Sequence, residues 1–522
     1  MNWMMRRRFL VPIACAFVLA GCSSAPTGVE QLERIARVEA PFPFPRLQRP
    51  SIPGRWFDIR EYGAREGEKA TIPIKRAFEA ALRAGGGYIL VPSGKWLTGA
   101  IQMESNTALY VSRGAELLFS QDPTDYLPAV FSRHEDIECY KYSAFIYAEG
   151  RTNIAILGGG VLNGQGKPWW DWKTSRADCE KELYSMGERN VPVVKRLFDG
   201  TDGRVLRPAF FQPVNCRNVL VEGVTFLYGA FWTITPTYCE NVIIRRVRIE
   251  TVGEYGHTPN GDGVDPSSSR NVLIEHCTFD TGDDCIAIKA GRDADGLRVN
   301  RPTENVVIRH CSGLRGHGGV VLGSETSGGI RNVFATECDF TGTERVVRLK
   351  SARGRGGVLE NLYFRNLRGD SIEREALHLN LLYTGTRYPE LPVRLSTPSF
   401  RNIHFANITV TNGKSYGIEI LGLPEMPVEN VTFDSIRIEG KGIHAVDARG
   451  IRLDSVVIAT PARPAILLED VAGFSLSRCA VTGEGEGDVV RIEGARSREI
   501  LLPAVQFSAG PNVPPDAVRR HP

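Results

Sequence analysis

The chain has 522 residues, 42% of them hydrophobic and 24% charged, with a formal net charge of +3. So even a balance excludes a strongly basic nucleic-acid binder, and any anionic ligand has to be met by a local cluster of cations. The length would fill two or three ordinary domains, yet a repeating chain can grow as one long unit.

At the N-terminus, Arg6, Arg7 and Arg8 precede an apolar run over residues 9–20, too short to span a bilayer, that ends in Leu19-Ala20-Gly21-Cys22. Small residues before this cysteine resemble the lipobox of bacterial lipoproteins. The resemblance implies a signal peptide over 1–21, cleavage before Cys22 and lipidation of Cys22, so that the mature protein is anchored rather than spanning. It places the protein at the bacterial cell envelope, and Ser23 in the next position implies the outer membrane. A plain secretory signal with an incidental cysteine is the alternative. Removing residues 1–21 removes three Arg and takes the formal charge from +3 to 0. Residues 22–54 carry Pro41, Pro43, Pro45, Pro50 and Pro53 and are expected to form a tether. Residues 55–522 are expected to fold as one domain and to act as a monomer.

A helical pattern over residues 72–84, with Ile74, Ala77, Phe78 and Ala81 on one face, predicts a capping helix ahead of a strand at Tyr88-Ile89-Leu90-Val91. Such a cap would shield the open end of a β-solenoid. Between Asn163 and Phe211 the pattern breaks into an insertion bearing Trp169, Trp170 and Trp172, a set equally suited to packing the insertion or binding sugar. Beyond it, Asn recurs before β-branched or apolar runs at Asn218, Asn241, Asn271, Asn305, Asn332, Asn361, Asn402 and Asn430, with gaps of 23, 30, 34, 27, 29, 41 and 28 residues. That is the period of a solenoid coil, and short alternating runs with no helical pattern between them predict an all-β, right-handed parallel β-helix. Nine cysteines remain after Cys15 and Cys22. Cys277, Cys311 and Cys338 each fall six residues after an anchor and Cys216 and Cys239 two before, which predicts stacked thiols rather than bridges. Only Cys139 and Cys179, in irregular segments, form a candidate pair.

Three segments carry chemistry: Asn260-Gly261-Asp262-Gly263-Val264-Asp265, Asp280-Thr281-Gly282-Asp283-Asp284 and Gly316-His317-Gly318. Asp283 lies twelve residues after Asn271 and His317 twelve after Asn305, so neighbouring coils bring them roughly 5 Å apart. Asp262, Asp283, Asp284 and His317, followed by Arg348 and Lys350 on one strand face, resemble in order and spacing the polygalacturonases of glycoside hydrolase family 28. The likeness extends from Phe57 through Gly164-Gln165-Gly166-Lys167-Pro168-Trp169-Trp170 and Phe231-Trp232-Thr233-Ile234 to Asn430. Gly261 stands where the family usually has Thr, and Thr235 where bacterial relatives commonly have His.

Hydrolysis of a glycosidic bond requires a carboxylic acid for the leaving oxygen and a carboxylate that activates water on the opposite ring face. The resemblance implies Asp284 as that acid, Asp262 and Asp283 as the pair holding the water, and His317 as a hydrogen-bonding partner that keeps the acid protonated. It implies binding of a uronate by Arg348 and Lys350, with Asn260 and Tyr383 in the same subsites and no cofactor or metal. Lys289 and Arg292 would add positive potential. The substrate expected is polygalacturonate or its oligomers, cleaved with inversion, and the insertion between Gly166 and Phe211 predicts exo action by walling off one end of the cleft. A calcium-dependent pectate lyase and a non-catalytic β-helix surface protein that binds carbohydrate remain as alternatives.

Overall fold

The structure, a computed structural model, describes residues 34–254, 256–383, 389–502, 506–508 and 518–520. Cys22 and the apolar run before it lie outside the described residues. From Asn218 onward the run after each anchor is a strand whose middle residues stack in parallel register, Leu220, Ile243, Leu273, Val307, Phe334, Tyr363, His404 and Thr432. In the coil begun by Asn271, a second strand Thr278–Asp280 and a third, Ile286–Ile288, complete the turn. Third strands stack likewise, Ile286 on Val320, Val347, Leu377 and Ile418 in succession. The expected right-handed parallel β-helix is the observed fold, with Val, Ile, Leu and Phe filling its interior.

The anchors owe their regularity to geometry. Each of the eight sits in the left-handed region, with φ between 54° and 58°, which Asn tolerates because its short amide bonds locally. Its Nδ2 donates to the Oδ1 of the preceding coil's Asn, at 2.9 Å from Asn218 to Asn153 and 3.1 Å from Asn271 to Asn241. Asn106 and Asn153 belong to the same ladder but escape a search for repeats, because long insertions follow them. Helix Thr71–Arg83 buries Ile74, Ala77, Phe78 and Ala81 over the first coil, as predicted. The nine cysteines are free and buried, Cys139 and Cys179 included, so that candidate pair does not form; the Cys179 thiol instead donates to the Gly203 carbonyl at 3.7 Å.

Residues 34–53 are not a free tether. They lie along the outside of the solenoid, where Ile35, Val38, Phe42, Phe44, Leu47 and Ile52 pack on the outward-facing Leu90, Tyr110 and Leu157 of the early coils and on the row Leu220, Ile243, Leu273, Val307 and Phe334. The Phe42 ring lies 6.2 Å from that of Tyr363, and Arg49 pairs with Glu222 two-pronged. This explains why strands such as Val242-Ile243-Ile244 are apolar at consecutive positions: one face meets the core and the other meets the strap. Past the strap, the same row turns polar at His404 and Thr432.

Two further elements were absent from the sequence reading. Strands Val130–His134 and Ile137–Lys141 form an antiparallel hairpin, and a helix, Asp293–Val299, interrupts coils expected to contain none. They lock together through buried ions: Asp136 accepts from the Gly291 amide and Ser267, and Asp295 pairs with Arg196 at 2.7 Å and accepts the Glu138 amide. Helix Ala177–Glu188 of the insertion packs against both. In that insertion Trp169 is core, against Tyr126, Phe145 and Trp172, whereas Trp170 is only half-buried.

Candidate active site

The turns ahead of the third strands deliver the acidic residues, and the third strands deliver the cations. Asp262 and Asp284 are buried, and Asp283 is partly exposed. The Asp284 amide donates to Asp283 Oδ1 at 2.9 Å, and the same oxygen lies 2.9 Å from His317 Nδ1. The equal offsets in sequence therefore correspond to direct contact. Lys350 Nζ donates to Asp284 Oδ2 at 2.7 Å, while Asp284 Oδ1 has no hydrogen-bond partner. Lys289 sits over the Trp232 ring at 4.4 Å, 3.5 Å from Asp262 and 3.2 Å from Glu325. Asp262, Asp283, His317, Lys289, Lys350 and Glu325 line a cleft of about 420 Å³ with Asn260, Arg348 and Tyr383, while Asp284 is fully buried.

The two predicted uronate ligands differ in state. Lys350 is buried and committed to Asp284. Arg348, one register step from His378 on the same strand face, has no ion-pair partner among the described residues, and its Nε is unbonded. It is the cleft's available guanidinium. Tyr383 is half-exposed at the rim, its amide donating to Asn380 Oδ1. Arg292, expected to add potential along the cleft, instead clamps Glu135 at 2.5 Å and stacks on Tyr184, which fastens the insertion to the hairpin tip.

Protonation follows from burial and charge. Burial, then the neighbouring Asp283 charge, pushes Asp262 well above the carboxylate range. Burial also opposes ionisation of Asp283, but the hydrogen bond and charge of His317, with Lys350 and Lys289, hold it below that range. The bond to Asp283 raises His317 to about 9 against partial burial, so it is an imidazolium at neutral pH. Burial and charge thus push Asp262 towards its neutral form and Asp283 towards its ionised one, the separation that acid–base work needs. Asp283, Asp284 and His317 each offer a ligand atom within 4.8 Å of one another, a set able to hold a cation; the Lys350 ammonium already supplies one at Asp284.

Several contributors escaped the sequence. Arg207, at the end of the insertion, donates to Asn260 Oδ1 at 2.7 Å and to the Pro259 carbonyl at 2.6 Å, fixing the turn that carries Asp262. Glu135 and Glu325 line the cleft from the hairpin and from the turn after Val320–Gly323. None lies on a repeat, and only their charge in an otherwise irregular stretch marks them. The Gly261 departure is compensated in place: a Cβ there would lie 2.7 Å from Thr251 Oγ1 and 2.9 Å from Thr258 Cβ, and Thr251 donates to the Gly261 carbonyl. Thr235 is buried, its hydroxyl 3.4 Å from the Phe211 carbonyl.

Residues 199–455 match the family described as glycosyl hydrolases family 28. A hyperthermoactive exopolygalacturonase from Thermotoga maritima shares 35% identity and superposes with a TM-score of 0.71 over 88% of this chain and 93% of that one. An exo-poly-alpha-D-galacturonosidase of Dickeya chrysanthemi is 28% identical over 409 residues, 70% of this chain and 64% of its own length. A probable polygalacturonase of Vitis vinifera is 31% identical over 290 residues, 54% of this chain and 53% of its own. The chain thus spans between about half and two-thirds of the length of these two curated relatives.

Proposed function

Because the chain belongs to glycosyl hydrolase family 28, we propose that it hydrolyses α-1,4-galacturonosidic bonds of polygalacturonate and its oligomers, from the chain end and with inversion. The observation that carries this reading is the trio Asp262, Asp283 and Asp284, joined to His317 and flanked by an unpaired Arg348. A neutral sugar would leave that guanidinium without a counter-charge; a uronate carboxylate meets it in bidentate fashion.

Asp284 donates the proton to the leaving oxygen, and Asp262 and Asp283 hold the attacking water. Lys350 is bound to Asp284, while burial and the Asp283 charge favour the neutral form of Asp262. Lys350 is also within reach of the cleft, where a substrate carboxylate would compete with Asp284 for it. His317 stabilises the ionised Asp283 throughout. Exo action is supported by Glu135, which the hairpin brings to the cleft and which Arg292, Tyr184 and Lys173 brace at one end. Product analysis on polygalacturonate tests this: early release of short products with little loss of viscosity is expected, and mixed oligomers with a steep viscosity drop would reject it. A proton NMR time course should show the inverted anomer first. A pectate lyase would instead give an unsaturated product absorbing in the ultraviolet.

Attachment to the outer membrane through Cys22 belongs to the same proposal. Cys22→Ala should move activity from the membrane fraction to the soluble one, and unchanged membrane retention would refute anchoring at that residue.

A further inference from the structure

Beside the catalytic cleft lies a second recess, of about 280 Å³, whose walls include Trp170, Tyr228, Lys167, Gln121 and Gln165. It sits at the lower edge of the roughly 300–1,000 Å³ typical of small-molecule sites, room for one ring and not for a chain. Hairpin strands Val252–Gly253 and Gly256–His257 separate it from the cleft. On one side a Cβ at Gly253 would meet the Tyr228 hydroxyl and one at Gly256 would lie 3.8 Å from the Trp170 indole; on the other, His257 abuts Gly282, next to Asp283.

Its chemistry is specific. Trp170 is half-buried and fixed in orientation by Nε1 donating to the Gly229 carbonyl at 2.9 Å. Tyr228 supplies a second aromatic lining residue and is held at φ 47°, an outlier for a bulky residue that persists only where its surroundings enforce it. Gln165 and Gln121 spend their Nε2 on the Phe119 and Gln165 carbonyls, which leaves each Oε1 as an uncommitted acceptor. Lys167 is exposed and has no ion-pair partner among the described residues, and none of the lining residues is acidic. Aromatic faces for the apolar side of a pyranose, acceptors for its hydroxyls and an unpaired ammonium for a carboxylate are together what a sugar acid requires.

We propose that the Trp170–Tyr228 recess is a second uronate-binding site, separate from the catalytic cleft, that takes one galacturonate residue of a pectic chain. It draws its ligand class from the activity proposed above and stands on different residues. A weak site of this kind raises retention on polymer by linking two binding events on one chain.

The test is co-sedimentation of the full chain with particles of acid-insoluble polygalacturonate, in an Asp284→Asn background so that the polymer is not consumed. Lys167→Met should lower the bound fraction at least threefold at constant thermal midpoint, and Trp170→Leu should do the same. Lys181→Met, which removes the same charge from an exposed position on the insertion helix, should sediment like its parent. Lys167→Met protein that is retained like its parent, equal losses in both lysine variants, or a parent that does not sediment would each overturn the site. Hydrolysis of digalacturonate by the wild type is read separately and bears only on the activity: a protein without turnover whose retention depends on Lys167 would reject the hydrolase and keep the recess.

Discussion

Two charged constellations occupy the same face of this solenoid and are built on opposite terms. At the cleft, four aspartates, Asp262 and Asp283 in its lining and Asp265 and Asp284 fully buried, are set among Lys289, Lys350 and His317; both oxygens of Asp265 and one of Asp284 lack a hydrogen bond among the described residues. A few coils on, the row that starts at Arg348 continues through His378, Glu419 and His444, and at its far end Glu419 and His444 are paired. Arg345 Nε donates to His378 Nδ1 at 3.1 Å, and His378 Nε2 lies 3.1 Å from Glu419 without a hydrogen bond to it. His444 lies between Glu419 and Glu469 at 3.1 and 3.0 Å. One register, one strand type and one outward direction thus serve chemistry where groups are left unsatisfied and stability where they are matched.

The largest effect that would separate the two is Asp284→Asn. It keeps the side chain's size but cannot deliver a proton, so kcat should fall by about 10²–10⁴-fold, and because Asn also removes the counter-charge of the buried Lys350 the thermal midpoint should fall as well. Near-normal turnover would place the acid elsewhere, Asp262 being the first alternative. Next come the two cations. Lys350→Met leaves a buried Asp284 without its counter-charge and should lower both kcat and the thermal midpoint, on the order of 3–5 kcal/mol in stability. Arg348→Gln breaks no existing ion pair; kcat/KM should drop by about 2 kcal/mol or more at constant midpoint. Equal melting losses in the two variants would erase the distinction drawn here between a committed and an available cation.

A smaller effect belongs to the matched row. Against the cost of burial, Glu419 and Glu469 raise His444 to about 9, above its ordinary 6.5. A raised folded-state value means the pairing stabilises fully below pH 6.5 and is lost as pH climbs through about 9. The thermal midpoint should therefore fall between pH 7 and 10, and His444→Gln should lose a degree or so at pH 7, show a flatter fall above it and leave kcat unaltered. A change in kcat larger than twofold would make the row part of the catalytic apparatus.

The solenoid was legible because its signal is a backbone signal: a left-handed Asn at each coil fixes the register, and equal offsets from it brought Asp283 and His317 into contact. Helix Thr71–Arg83 was legible for a similar reason, its apolar face having one period. The end wall was not. Glu135 and Arg207 come from segments with no periodicity, and their positions are set by contacts between distant parts of the chain, such as Arg292 with Glu135 and Arg207 with Asn260. The strap was misread because its prolines suggested an extended tether while its alternating apolar side chains were left unweighed; it is extended, but docked. The Arg348–Lys350 pair was placed correctly on one strand, yet nothing in the spacing could tell that Lys350 would close on Asp284.

That strap also sets the order of assembly. Phe42 meets Tyr363, 321 positions later (363 − 42), and Arg37 offers its carbonyl to Arg309. At about 5–20 residues per second of synthesis, roughly a quarter of a minute to a minute separates the making of Phe42 from that of its partner. Coils can zip up locally one upon the next, but the strap, written before them, waits longest for its seat. Until it does, a row of Leu, Ile, Val and Phe runs bare along the outer edge of the growing shaft. The interval during which this protein is most open to aggregation or to a chaperone is therefore set by a segment outside the catalytic coils.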